Sequence, residues 1–238
     1  MDPVLKIGNP FLIQFNLLTR CVFNCSYCYL NKLRKSSDKI LSLGEYRDFL
    51  EVFSKYHDEF GLDLSLNLTG GDLWFHPELE SILGYTNELD FVTDISLLIN
   101  SLWHPESRRL ILSIKDKLSC VQLNIDSLVD RENDLLFLEA NNVPSVVKIL
   151  ISKNQSYFDY QIKTLKTLRK SIPSLKVSID RLCPTTLDQI GQIASSGEVI
   201  EKVDQIIKLG IELFIVDDHL FRHYMGNGNR TRILMKMQ

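Results

Sequence analysis

Short apolar runs with a period of two alternate along this chain with longer stretches whose apolar residues recur every three or four positions. The first run, Phe11-Leu-Ile-Gln-Phe-Asn-Leu-Leu-Thr19, predicts strand one over Leu12–Arg20. Ser42-Leu-Gly-Glu45 is a capping box that opens a helix. In that helix Tyr46, Phe49, Leu50, Phe53, Tyr56 and Phe60 share a face, and Gly61 stops it. Leu62–Thr69 alternates as strand two, Glu78–Asn87 is a short helix, and Ile95–Leu102 is strand three. His104-Pro105-Glu106 starts a helix to about Lys117. Cys120–Leu128 is strand four, Arg131–Asn141 a helix and Val146–Ser152 strand five. Ser156–Ser171 is a helix with a Ser-x-x-Asp start, followed by strand six over Leu175–Leu182. Ser195-Ser-Gly-Glu198 caps a final helix ending at Gly210, and Ile211–Val216 is a last short strand.

Alternation of strand and helix on this scale predicts an α/β fold with a parallel sheet and crossover helices. A partial barrel and a doubly wound open sheet both fit. Either places ligands at the C-terminal ends of the strands. The chain has 238 residues, enough for one large domain with a sizeable core, at 45% hydrophobic content. We expect a core over 1–216 and a C-terminal extension over 217–238, where the sequence changes character. A net charge of −3 argues against a dedicated nucleic-acid binder. No apolar run reaches the roughly 18 residues of a membrane span. The N-terminus lacks a signal-peptide pattern, which predicts a cytoplasmic protein.

Cysteine placement sharpens this picture. Cys21, Cys25 and Cys28 form a C-x3-C-x2-C run just past strand one. Three thiolates so close can hold three corners of an iron–sulfur cube, where an electron-transfer cube takes four cysteines, so one iron stays open for chemistry. A zinc site normally needs a second pair, and only the solitary Cys120 and Cys183 remain. Five cysteines in 238 residues do not make a disulfide framework. No histidine has a partner spaced to suggest a separate metal site.

The cysteine run, with Tyr27 before its last cysteine, resembles the signature of the radical S-adenosylmethionine (radical SAM) superfamily. About forty residues on, Leu68-Thr-Gly-Gly-Asp-Leu-Trp-Phe-His-Pro-Glu78 resembles that superfamily's Gly-Gly-Glu motif, with Asp72 in place of the glutamate. The resemblance implies a partial (β/α)6 TIM-like barrel, a 4Fe-4S cluster on Cys21, Cys25 and Cys28, and S-adenosylmethionine (SAM) on the open iron. It implies reductive SAM cleavage to a 5′-deoxyadenosyl radical that abstracts hydrogen from a substrate, with an electron donor such as a flavodoxin or ferredoxin. It also makes Gly70, Gly71 and Asp72 SAM-binding residues, the glycines by close approach and Asp72 by pairing with the methionyl ammonium.

Asn100 resembles the Asn that ends strand three in relatives. Asn124 and Asp126 stand two apart on strand four, and family polar residues there touch SAM. A strand-end cap explains the pair equally well. Arg181, beside Lys148 and Asp180 among apolar neighbours, can pair with the SAM carboxylate or form a surface salt bridge. Cys183 follows strand six, where a thiol can return a hydrogen atom to a substrate radical. A lone cysteine is otherwise an inert small hydrophobe, the reading that suits Cys120 at the far end of strand four.

The pattern is closest to peptide-modifying members of the SPASM or Twitch type, which implies a peptide or protein substrate. No cysteine follows Cys183, so their C-terminal cysteine-rich module is expected to be absent or cut away. Two alternatives stay open: an activase for a glycyl-radical enzyme, and a non-catalytic iron–sulfur scaffold.

Overall fold

The computed structural model describes residues 10–23, 25, 28, 30, 38–126, 131–181, 191–215 and 233–234, without the side chains at 131, 181, 214, 215, 233 and 234. Its strands are β1 (Phe11–Asn16), β2 (Leu64–Thr69), β3 (Val92–Ile99), β4 (Leu118–Asn124), β5 (Ser145–Ile151), β6 (Lys176–Arg181), β7 (Glu212–Ile215) and β8 (Ile233–Leu234). They form one parallel sheet in chain order. The described helices are α1 (Leu43–Phe60), α2 (Leu79–Glu88), α3 (Ser107–Ser113), α4 (Arg131–Ala140), α5 (Gln155–Ser171) and α6 (Ser196–Ile207).

Strand order separates the two architectures left open by sequence. A doubly wound sheet needs a point where the order reverses. Among the described strands it never does, so right-handed crossovers stack the described helices on one side and the sheet curls as a partial barrel.

The period of two sorts side chains between the faces. Leu64, Leu66, Leu68, Ile95, Leu97, Val121, Leu123, Val147 and Ile149 pack in one core with Tyr46, Leu50, Ile82, Leu138, Phe158, Leu165 and Val199. Each such residue removed from water contributes about 1.5–3 kcal/mol. The alternate positions, among them Gln14, Asn67, Ser96, Gln122 and Lys148, line a cavity on the concave wall.

Helix α1 follows its local signals. Ser42 and Glu45 cap each other reciprocally, and Gly61 ends the helix at φ 64° in the left-handed region.

Several boundaries differ from the sequence expectation. Strand one stops at Asn16 rather than Arg20, because the backbone of 17–20 bonds to two loops: Leu17 and Thr19 pair with 39–41, and Gly71 and Asp72 donate to Leu18 and Arg20. Strand three begins at Val92, hidden in sequence by Thr93 and Asp94. Their polar groups are engaged there, Thr93 donating to Leu64 O and Asp94 accepting from Ser65 and Ser119. Strand four ends at Asn124, whose side chain accepts from the Asp126 N–H and turns the chain. The helix expected from His104 is the short α3 followed by a 3-10 turn at Lys115–Lys117. Helix α5 is capped by Asn154, not Ser156. Strand β8, not foreseen, pairs with β7. Among the described residues no helix is long and apolar enough to cross a membrane.

Candidate functional site

The site is built where β1 and β2 end. Beyond β1 the buried Leu17 and Leu18 anchor the lead into the cysteine loop. The loop after β2 is sewn to this lead by backbone bonds, Gly71 N–H to Leu18 O and Asp72 N–H to Arg20 O, both 2.8 Å. This contact explains the two glycines. A Cβ at Gly70 would stand 2.6 Å from Leu18 O, and one at Gly71 only 2.0 Å from Arg20 O. Gly70 also holds φ 151°, which side chains rarely adopt. The close approach that needs glycine here is therefore to the chain's own backbone, and this revises the physical reason expected from sequence. Gly71→Ala should cost about 3 kcal/mol, the upper range for overpacking, because the opposing atoms are backbone and cannot rotate away. Chemical denaturation of the purified variant measures this.

Cys21, Cys25 and Cys28 form no disulfide and are of intermediate exposure. The Asn100 amide bridges the two loops, its Nδ2 lying 3.8 Å from Cys21 Sγ and 3.5 Å from Gly71 O. The donor set suits an iron–sulfur cluster: soft, unoxidised thiols, with an amide N–H turned toward one sulfur, a contact that tunes such clusters. Among the described residues no three His, Cys, Asp or Glu side chains converge on a single ion. A cube does not require it, since each thiolate binds a different iron.

Asp72 is fully buried. Its Oδ1 caps the 3-10 turn Leu73–Phe75, and its Oδ2 accepts the Trp103 indole N–H at 2.8 Å. Burial pushes this carboxyl above the usual aspartate range, while the bonds from Trp103 and Trp74 and the nearby His104 oppose the shift. The clasp is reciprocal, because the Trp74 indole donates to Ser101 O at 2.6 Å. Trp103 also packs against Phe75 with the rings tilted by 49°, and the Arg20 guanidinium lies 4.9 Å from the Phe75 ring centre.

Trp103 was missed in the sequence reading, although a signal existed. Leu-Trp-Phe-His-Pro-Glu at 73–78 and Leu-Trp-His-Pro-Glu at 102–106 are near repeats. In both, the histidine Nδ1 accepts the N–H of the glutamate two residues on. The other His76 nitrogen therefore carries the proton and donates to Leu41 O.

The other described candidates have other partners. Asn124 caps its own strand end, and Asp126 accepts from the Tyr157 hydroxyl of α5, another residue unforeseen in sequence. Lys148 pairs with Asp180 on the concave wall. Arg181 closes β6, and its side chain is not described; Tyr27 and Cys183 lie outside the described residues.

No family model matches the chain. In sequence it is 23% identical over 166 residues to the GTP 3',8-cyclase of Aquifex aeolicus (strain VF5), covering 67% of this chain and 49% of that enzyme. The match thus spans between 39% and 49% of the length of the curated relatives. In fold it is similar to anSMEcpe with bound AdoMet and Cp18Cys peptide, with a TM-score of 0.61 at 14% identity over 94% of this chain and 63% of that one. Streptococcus suis SuiB bound to precursor peptide SuiA gives a TM-score of 0.59 at 13% identity, over 92% and 52%. The fold is the α/β partial barrel of these neighbours, in keeping with the resemblance carried by the cysteine run.

Proposed function

We propose that the chain is a radical SAM enzyme acting on a peptide or protein residue. The observation that carries the reading is the backbone junction between the cysteine loop and Gly70-Gly71-Asp72 at the C-terminal mouth of the barrel. When bound, a 4Fe-4S cluster and SAM supply one-electron reductive cleavage to methionine and a hydrogen-abstracting 5′-deoxyadenosyl radical. Cys21, Cys25 and Cys28 hold that cluster, and Tyr27 flanks it. Asn100 fixes the distance between the two loops. Asp72 receives the methionyl ammonium on a remaining lone pair, with the Trp103 indole N–H on Oδ2 orienting the carboxylate. Asn124, Asp126 and Arg181 are assigned to the ribose and carboxylate of SAM from the ends of β4 and β6. A flavodoxin or ferredoxin supplies the electron.

The peptide assignment is supported by fold neighbours bound to peptides. A nucleotide substrate is the second reading, favoured by the sequence match to a GTP 3',8-cyclase. The two are separated by incubating the reduced enzyme and SAM with GTP or with short peptides encoded beside its gene. A changed peptide mass supports the first reading, and GTP consumption supports the second.

Cys183 is assigned as the thiol that returns a hydrogen atom if a Cα centre is inverted, the thiyl left behind taking an electron from the flavodoxin or ferredoxin donor and a proton from water. Cys183→Ala should still cleave SAM yet stall before product, and solvent deuterium should enter the product Cα only with the thiol present. Normal product from the variant would return Cys183 to inert packing.

A further inference from the structure

The concave wall of the barrel encloses a cavity of about 730 Å³, in the range of ligand sites. Strand register makes its lining continuous. Gln14 pairs with Asn67, Asn67 with Ser96, and Ser96 with Cys120, so one rung crosses β1 to β4. Two residues farther along the same faces, Asn67 leads to Thr69, Leu98 to Asn100 and Gln122 to Asn124. Two residues of strand rise about 6.6–6.8 Å. The upper wall of the cavity therefore lies one rung beneath the junction of the cysteine and Gly-Gly-Asp loops.

Resting on the radical SAM reading of that mouth, we infer that this cavity takes a net-neutral, amide-bearing chain, an extended peptide segment, and rejects nucleoside triphosphates. Volume admits either ligand, so charge and hydrogen-bonding capacity decide. A triphosphate needs several unpaired cations, bidentate arginines or helix N-termini. The described lining holds no arginine. Its lysines face acids, Lys148 against Asp180 and Lys176 against Glu212 at 3.6 Å. Glu139 adds a further negative group, satisfied by the Ser174 hydroxyl. Leu135 and Glu139 bring the C-terminal half of α4 to the wall, whose partial charge also repels phosphate.

What the wall offers instead is carboxamide and hydroxyl. Gln14, Asn67 and Gln122 each present an acceptor and donors on one group, the same complement as a peptide unit, and Ser96 and Ser178 stand among them. Asn67 supplies the most direct observation. Its Oδ1 is buried and has no hydrogen-bond partner among the described residues. A buried carbonyl oxygen left without a donor is costly, and a ligand N–H would satisfy it.

The test uses the full chain with its cluster reconstituted and SAM bound, probed by saturation-transfer NMR with acetyl-tetraalanine-amide and, separately, GTP. The capped peptide should give saturation signals and GTP none. Asn67→Leu should weaken the peptide about tenfold, the loss of one hydrogen bond. Gln122→Leu, on a different strand, should do the same and serves if Asn67→Leu does not fold. GTP signals that fall in these variants would overturn the inference. So would peptide signals absent from the unaltered protein or unchanged in the variants. Iron content and SAM affinity are read on the same samples. Their loss in the unaltered protein would fail the radical SAM reading itself, whereas their retention confines any failure to the cavity.

Discussion

Replacing Cys21, Cys25 and Cys28 together with alanine is expected to take the anaerobically reconstituted protein from about four irons and four sulfides per chain to essentially none. The three cysteines, none in a disulfide, lie within one short loop, and that loop is fixed to the sheet by the bonds at Leu18 and Arg20. The triple substitution removes every cysteine of the junction while leaving the buried Leu17 and Leu18 in place, so the variant should stay folded. Cys120→Ala provides the contrast. Its thiol lies on β4, in register with Ser96 on the cavity wall, and iron content should be unchanged without it. A stable zinc atom in place of iron would contradict the assignment.

Asp72→Asn is expected to destroy the affinity for SAM and to shift the melting temperature, relative to the parent, upward from acid to neutral pH. The stability half follows from burial. A carboxyl whose pKa is raised on folding binds its proton more tightly in the folded state, so it contributes most stability below the unfolded aspartate range. That contribution is lost as pH rises through the raised folded value. Asparagine keeps the capping role toward Trp74 without the buried charge, while its amide N–H groups face the Trp103 indole N–H that Asp72 Oδ2 accepts, a loss that does not vary with pH. The melting temperature of the variant minus that of the parent should therefore rise from acid to neutral pH. The binding half follows from the ammonium that Asp72 is assigned to receive. Leaving one member of a buried charge pair alone costs about 3–5 kcal/mol, or at least about a hundredfold in affinity. Equilibrium dialysis with labelled SAM and thermal melts across pH check the two halves separately. Unchanged affinity would reduce Gly70-Gly71-Asp72 to a turn.

These residues also show which features could be read before any coordinates. The capping box at Ser42 and the stop at Gly61 were legible because their partners lie within four residues. Strand β2 was legible because Leu64, Leu66 and Leu68 alternate with polar positions. The cysteine run and Gly-Gly-Asp were legible as motifs, and Asn100 by its position at a strand end; the structure brings these loops together. The clasp of Trp103 on Asp72 was not, because it joins residues 31 apart and depends on how two loops meet. The early end of β1 has the same cause, since its successors bond to loops distant in sequence. Strand β8, two residues long, carries no period at all. The order of the sheet, which decides between a barrel and a doubly wound sheet, is a property of pairing and not of any one strand.

The proposed activity rests on electron transfer into SAM bound beside the junction of the two loops. The most direct test is to reduce the reconstituted protein anaerobically with dithionite in the presence of SAM and to quantify methionine and 5′-deoxyadenosine by mass spectrometry. Equal amounts of both products, absent from the triple cysteine variant, are the result predicted. A protein that holds its four-iron cluster and binds SAM yet returns it intact would contradict the account and leave an iron–sulfur scaffold.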